Sequence, residues 1–488
     1  MLCYHPSNAY VWDTWCVEKN HEVHLFHLQR PLDDKPESKY IASALGHAVS
    51  TDLINWHELP PVLYPAPPGA LDDMQAFTGC SYQNGDTNYL FYTMRSSRDN
   101  GRVQYIGLAT SEDMATWTRY EQNPIIEPDP SLYVSRFNAL PNGTVDCRDL
   151  MVVEDPKGNG YYGFYAARIK AKYMWQSTAI AVVYSKDLKK WEHLPEPAFV
   201  PEQFGLIEVP DVFFLHGKWY MCCLVDGYWA NRNIMKQTSL GTGTIYAVAD
   251  SVEGPYRLND DFVLCGGDRK NTGYANSSFM YKGTRRMINT ERGTDTVSPP
   301  MIVYVNDKGN LRLKFDPLTE GYRTATLADP NNPLSVVKFS LSPHFELPSG
   351  DIQQNGNVYT ATAVQGWHAS WLNALSEDIE MSCELDIDGV AAGLCFGDSA
   401  FLLDTLRNEV VSGQMDAFDE ATIREWPLAA NKNYHLRVRI RHPRLEIYVN
   451  DELVIQSIVH SNRGAYNPGI IVDRAKAIVK QLYIYRLG

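Results

Sequence analysis

The chain has 488 residues, with 44 Lys plus Arg against 58 Asp plus Glu. The resulting net charge of −14 opposes nucleic acid or an anionic membrane surface as a main partner. Apolar residues make up 44%, yet no run of them reaches the ~18 needed to span a bilayer, so no membrane partner is expected and two to three domains fit the length.

The first residues, MLCYHPSNAY, carry neither a basic n-region nor an apolar h-region, which predicts a cytoplasmic protein unless a processed N-terminus made it a secreted one. The nine cysteines run from Cys3 to Cys395 without paired or zinc-knuckle spacing and read as reduced, buried thiols. Next comes SNAYVWDTW (7–15), where Asp13 stands between Trp12 and Trp15. Taken alone, this acid reads as a turn residue beside two core tryptophans. EVHLFHLQ (22–29) reads as a strand. His21, His24 and His27 are spaced by three, so in a strand they alternate faces and cannot all reach one metal ion; no metal site is expected.

One phrase then recurs: HAVSTDLINWHELP (47–60), LATSEDMATWTRY (108–120) and VVYSKDLKKWEHLP (182–195). Each is an apolar strand, Ser-x-Asp, an apolar residue, two spacers and Trp, which predicts strand, tight Asp turn, strand. IYAVADSVEGPYRL (245–258) is a weaker copy with an aromatic in the Trp position. Further strands, such as NYLFYTM (88–94), GYYGFYAAR (160–168) and KWYMCCLV (218–225), precede the later copies as inner strands precede outer ones. Together with RRMINTERG and PPMIVYVNDKGNLRLKF, the pattern predicts a five-bladed β-propeller over residues 1–335. The glycines of LGTGT (240–244) follow no βαβ pattern, so no nucleotide loop is expected.

Composition shifts at the Pro/Asn-rich stretch 327–343. Beyond it, at least seven short alternating strands predict a β-sandwich over 345–488. In HLRVRIRH, Leu436, Val438 and Ile440 take one side and the arginines the other, and RLEIYVNDELVIQSI should fold back at Asn450-Asp451. This second domain is expected to be accessory, with Trp367 and Trp371 in its core or at an interface.

A propeller brings its inner strands to one axis, so acids far apart in sequence can converge at one mouth. Asp13 precedes EVHLFHLQ, Asp149 in VDCRDLMVV precedes GYYGFYAAR, and Glu208 in LIEVPDVFFLHGKWYMCC precedes a fourth strand. For Asp149 a plain ion pair with Arg148 competes with a role in such a site.

The order Asp13, Arg148-Asp149, Glu208 resembles glycoside hydrolase family 32, the invertase, levanase and inulinase group. EVHLFHLQRP is similar to that family's E-Y-H-L-F-Y-Q-Y-N-P, GHAVSTDLINWHELPPVLYP to its H-A-x-S-x-D-L-x-x-W segment, DDMQAFTGCSY to its W-S-G-S segment and IEVPDVFF to its E-C-P-D-L-F. The resemblance implies a retaining hydrolase of β-fructofuranosides, such as fructo-oligosaccharides, levan or inulin fragments or difructose anhydrides, with sugar as well as water a conceivable acceptor. It implies an oligosaccharide or disaccharide substrate and no cofactor. Asp13 would be the nucleophile, Glu208 the acid, and Asp149 the binder of ring hydroxyls, held ionised by Arg148. Trp12, Trp15, Gln29, Phe77 and Thr78 would line the sugar site, with packing an equal reading for Phe77, Thr78 and Cys80. The chain departs from the family where W-M-N-D-P-N-G becomes AYVWDTW, R-D-P becomes RDL and E-C becomes EV. Two rivals stay open: a family 43 type arabinofuranosidase or xylosidase, and a sugar-binding propeller without turnover.

Overall fold

A computed structural model of the chain describes residues 4–32, 44–137, 144–171, 176–225, 242–266, 273–291, 296–337, 350–415, 417–459 and 464–488. The chain divides into two compact units between Arg312 and Leu313. The division falls ahead of the composition shift because Arg323–Ala328 already pairs with Pro468–Leu487, and Val336–Val337 with Trp367–Leu372. Residues 338–343 of the Pro/Asn-rich stretch and Leu240 and Gly241 of LGTGT lie outside the described residues.

The first unit is built on four antiparallel four-stranded blades. Blade one holds β1 (Ala9–Lys19), β2 (Glu22–Pro31), β3 (Ala44–Ser50) and β4 (His57–Leu63); blade two holds β5 (Gln75–Asn84), β6 (Thr87–Arg95), β7 (Gln104–Ser111) and β8 (Thr118–Arg119). Blade three holds β9 (Cys147–Glu154), β10 (Tyr161–Arg168), β11 (Thr178–Ser185) and β12 (Glu192–His193); blade four holds β13 (Ile207–Leu215), β14 (Lys218–Val225), β15 (Gly243–Ala249) and β16 (Val263–Gly266). The expected count of five blades is therefore corrected to four. After Gly273, β17 (Tyr274–Tyr281) pairs with β18 (Thr284–Glu291), and β18 pairs with both Thr296–Val297 and Met301–Val305. These strands do not close as a fifth four-stranded sheet.

The recurring phrase folds the same way three times. Ser50, Ser111 and Ser185 each accept on Oγ the amide of the residue three positions on, at 2.8, 2.9 and 2.9 Å. Asp52, Asp113 and Asp187 each accept two further amides on Oδ1, at 2.7–2.9 Å. This is the Asx-turn chemistry that lets a short polar side chain replace a backbone partner. The apolar residue just after the aspartate, Leu53, Met114 or Leu188, takes φ of 66°, 64° or 64° and is almost fully buried. Burial of that side chain, worth about 2 kcal/mol, offsets the strain of a left-handed residue.

The aromatic four residues after the Asp-turn phrase, or its counterpart, stitches blade to blade. Trp117 of blade two meets Phe26 of blade one edge to face at 6.0 Å, Trp191 of blade three meets Phe91 of blade two at 6.0 Å, and Tyr256 of blade four meets Phe164 of blade three at 6.2 Å. The weaker fourth copy thus makes the same contact with Tyr. The apolar clusters follow suit, each filling the space between neighbouring blades rather than the inside of one.

In the second unit two long strands, Ile379–Phe396 and Pro468–Leu487, pair along most of their length. Leu436, Val438 and Ile440 are buried as expected, in one apolar cluster with Ile379, Met381 and Leu385. The arginines of the same strand are also buried: Arg437 and Arg439 meet Glu380 at 2.7 and 3.3 Å. The chain reverses at Asn450 and Asp451, with φ of 52° and 64°, the two positive angles a tight hairpin requires. Trp371 is buried and donates from Nε1 to the Gly397 carbonyl at 3.1 Å, and Trp367 packs against the same cluster. No helix among the described residues is long and apolar enough to cross a membrane.

Candidate active site

The innermost strand of each blade breaks its ladder near its start. β1 shifts register between Trp12 and Thr14, leaving Asp13 as the extra residue at φ 39°. β5 shifts between Phe77 and Gly79, at Thr78. β9 shifts between Arg148 and Met151, with Asp149 at φ 61°, and β13 shifts between Glu208 and Asp211, with Val209 at φ 50°. The same irregularity recurs in β17, at Ala275 (φ 49°). A bulge frees one residue from the ladder and re-aims its side chain. Aligned bulges turn Asp13, Thr78, Asp149 and Glu208 toward one another.

The resulting contacts tie the strands together. Val209 donates its amide to Asp149 Oδ2 at 3.1 Å, and the Asp149 amide donates to Thr93 Oγ1 at 3.0 Å. Thr93 in turn donates to the Thr78 carbonyl at 2.7 Å, and the Thr78 hydroxyl donates to Asp13 Oδ2. A relay of hydrogen bonds thus links β13, β9, β6, β5 and β1.

At its centre is the buried Arg148. Its Nε and Nη2 lie 3.1 and 3.0 Å from Glu208 Oε1, and Nε lies 3.5 Å from Asp149 Oδ2. On the other side Nη1 lies 3.0 Å from Asp146 Oδ2 and donates to Gln104 Oε1 at 3.3 Å. Asp13 and Asp149 are 8% and 6% exposed, whereas the Glu208 side chain is 24% exposed and so the most accessible of the acids.

Burial pushes the Asp149 carboxyl well above the usual carboxylate range. Arg148 pulls the other way, while Glu208 and Asp13 add to the rise. The implied picture, in which Arg148 holds Asp149 ionised, is therefore corrected: the closer partner of Arg148 is Glu208, and burial with two like charges outweighs one guanidinium. Carboxylates crowded around a single arginine retain a proton that isolated ones would lose. Chemically, the cluster offers both a carboxylate and a proton donor in one place, the pair that glycosidic bond cleavage needs.

Trp12 is half-buried and meets Phe77 edge to face at 6.5 Å, with the Arg95 guanidinium 4.7 Å above that ring. These residues form a wall beside Asp13 and Thr78. Trp15 does not belong to it. Its ring is 4% exposed, stacks on Phe26 at 5.9 Å and donates from Nε1 to Ser81 Oγ at 3.0 Å, so it is a core residue. The bulge at Asp13 brings both tryptophans to one face of β1, where Trp12 packs against the edge of the same apolar cluster and keeps part of its ring exposed. Gln29 is partly buried on β2, opposite Val11 and over Gly46, where a Cβ would strike its amide. Cys80 is buried in the cluster between blades two and three, its thiol pushed up to about 12 by burial, and serves packing.

His24 Nδ1 lies 2.9 Å from His47 Nε2, while His27 Nε2 lies 3.2 Å from the Tyr4 hydroxyl, so the two strand histidines serve separate contacts. No cluster of three or more metal-ligating side chains occurs among the described residues. A cavity of about 630 Å³ lies by Glu18, Lys19, His21, Gln83 and Met280, at the far end of β1, and is lined by none of Asp13, Asp149 and Glu208.

Thr93, Gln104, Asp146 and Arg168 were not legible as site residues. Asp146 alone left a trace, an acid two positions before Arg148 and so able to share its side of an extended chain.

The family model for the glycosyl hydrolases family 32 N-terminal domain matches residues 15–289, a span that begins two residues after Asp13 and includes Thr78, Arg148, Asp149 and Glu208. A levanase of Bacillus subtilis (strain 168) is 29% identical over 231 residues, 46% of this chain and 29% of that protein. The levanbiose-producing levanase of the same organism is 22% identical over 464 residues, 89% of this chain and 79% of that one. The match thus spans less than a third of the first of these relatives. Among solved structures, fructan 1-exohydrolase IIa from Cichorium intybus superposes with a TM-score of 0.71 at 14% identity, covering 99% of this chain and 96% of that one. The fold is shared, and with more than half its length matched by the family model, the chain belongs to glycosyl hydrolase family 32.

Proposed function

We propose that this protein hydrolyses β-fructofuranosides with retention of configuration. The observation that carries the reading is the convergence of three acids from the bulged starts of three inner strands: Asp149 and Glu208 meet at Arg148, and Asp13 is joined to Asp149 through Thr78 and Thr93. Asp13 is the nucleophile: its carboxylate attacks the anomeric carbon and forms a glycosyl-enzyme, while Thr78 holds the second oxygen. Glu208, the most exposed of the acids, reaches the glycosidic oxygen, donates its proton to the leaving group and then takes one from the attacking water. Asp149 binds ring hydroxyls, with its backbone and carboxylate fixed by Thr93 and Val209. The Trp12 and Phe77 wall shapes the sugar face and excludes water.

Support also comes from the family membership and from relatives named as levanases and β-fructofuranosidases. The test is a substrate screen of sucrose, inulin, levan, difructose anhydrides and aryl arabinofuranosides, with methanol added as a competing acceptor. Release of fructose together with methyl β-fructofuranoside, identified by NMR, is the expected result. The α-anomer, or turnover confined to arabinofuranosides, would overturn the reading.

A further inference from the structure

Glu208 is asked to hold a proton while in hydrogen-bond contact with an arginine, and a guanidinium at that distance favours the ionised carboxylate. The structure contains a device that opposes this. Arg148 spends Nε and Nη2 on Glu208 but turns Nη1 to Asp146 Oδ2 at 3.0 Å. Asp146 is 3% exposed and built in on every side: Thr144 donates to Oδ1 at 2.6 Å, and Arg168 Nε lies 2.7 Å from Oδ2. Arg168 is itself fixed by Ser177 Oγ at 2.9 Å and the Gly205 carbonyl at 3.3 Å. Burial pushes the Asp146 carboxyl up, but the two guanidiniums and the Thr144 hydroxyl outweigh it and hold it below the usual range, so it is a standing negative charge.

We propose that Asp146 is a positioning residue of this site. By sharing Arg148 with Glu208 it takes up part of the guanidinium charge, and so lets Glu208 keep the proton that it donates to the leaving group. The proposal rests on the functional reading above. Asp146 touches Arg148 from the side away from Asp149 and Glu208 and acts only through it. The charged and titratable groups of the cluster are Asp146, Arg148 and Asp149 on or just before β9, Asp13 on β1 and Arg168 on β10. Asp211 on β13 and its neighbours Cys223 on β14 and Arg285 on β18 lie further along. Of the cluster, Asp146 is the acid with a second arginine of its own, Arg168, which with Arg148 holds it ionised.

The experiment compares full-length wild type, Asp146→Asn and Arg168→Gln. The pH profile of kcat/KM is measured on the fructoside the wild type turns over best, and the Glu208 side-chain carboxyl is followed by ¹³C NMR in glutamate-labelled protein, assigned by its loss in Glu208→Gln. Asp146→Asn removes a negative charge, so the basic limb and the Glu208 titration should move to lower pH by about one unit. Arg168→Gln removes a positive charge and should move both to higher pH. A packing role for Asp146 would lower activity in both variants and leave the limb in place. An unmoved limb and titration in Asp146→Asn overturn the proposal, as do shifts of the same sign in both variants. Should Asp146→Asn fail to fold, the sign of the Arg168→Gln shift decides. Absence of turnover in the wild type sinks the functional reading alone, because the NMR titrations still report on Asp146.

Discussion

Asp13→Asn separates chemistry from folding more cleanly than any other single change. Asn has nearly the shape of Asp and shares its tolerance of positive φ, so the bulge at φ 39° survives. The Thr78 hydroxyl keeps an acceptor in the Asn carbonyl oxygen. What disappears is the attacking charge, and turnover should fall by about 10⁴-fold or more, roughly 5.5 kcal/mol of barrier. Stability should move the other way. Asp149 and Glu208 share one arginine with Asp146, and Asp13 adds to the upward push on Asp149. Like charges in near contact at an effective dielectric of about 20 repel by up to about 4 kcal/mol. Proton uptake by Asp149 already relieves most of this, leaving on the order of 1 kcal/mol, a rise of about 1–3 °C in melting temperature. Steady-state kinetics beside calorimetry at pH 7 give both numbers. Near wild-type turnover would refute the nucleophile assignment, and a lost several degrees would show that the carboxylate serves folding instead.

Glu208→Gln should slow natural fructosides by about 10²–10⁴-fold while aryl fructosides with good leaving groups lose far less, and equal losses on both would remove Glu208 from the acid role. Burial lowers His24, His47 to about 3 and His27 to about 4, below the ordinary 6.5, so these rings are neutral in the fold and titrate when it opens. The unfolded chain then binds more protons below pH 6.5. Stability should be complete above that pH and fall by about 1.4 kcal/mol per unit for each of His27 and His47 as pH drops toward 4. Urea melts at pH 7, 6 and 5 check this; a His47→Gln variant with the wild-type pH slope would exclude the histidines as its source. Trp191→Ala empties the Phe91 contact between blades two and three and should cost about 3–5 kcal/mol, read as a lower denaturant midpoint, with kcat of the folded enzyme unchanged. Trp12→Asn opens the wall beside Asp13 and Phe77 and should raise KM for the native substrate more than it lowers kcat; an unchanged KM would move Trp12 out of the sugar site.

The parts of this protein that the sequence determines are those whose partners lie within a few residues. Ser-x-Asp satisfies its own turn amides, so Ser50, Ser111 and Ser185 and their aspartates could be placed in advance. The reversal at Asn450-Asp451 follows from two residues that tolerate positive φ. The acids Asp13, Asp149 and Glu208 were visible as a series because each precedes a strand. Only the tertiary structure decided what depends on pairing across distance. The strands after Gly273 have the pattern of another blade, but β18 takes both Thr296–Val297 and Met301–Val305 as partners on its outer side, so four four-stranded sheets form where five were expected. Trp12 and Trp15, three apart, would face opposite ways in a regular strand, but the bulge at Asp13 turns both to one apolar cluster, where Trp15 is buried and Trp12 stays at the edge beside Phe77. Arg148 stood beside Asp149 in sequence, yet its charge goes first to Glu208 and Asp146, because the fold brings Glu208 to Nε and Nη2 and Asp146 to Nη1, while Asp149 reaches Nε only at 3.5 Å.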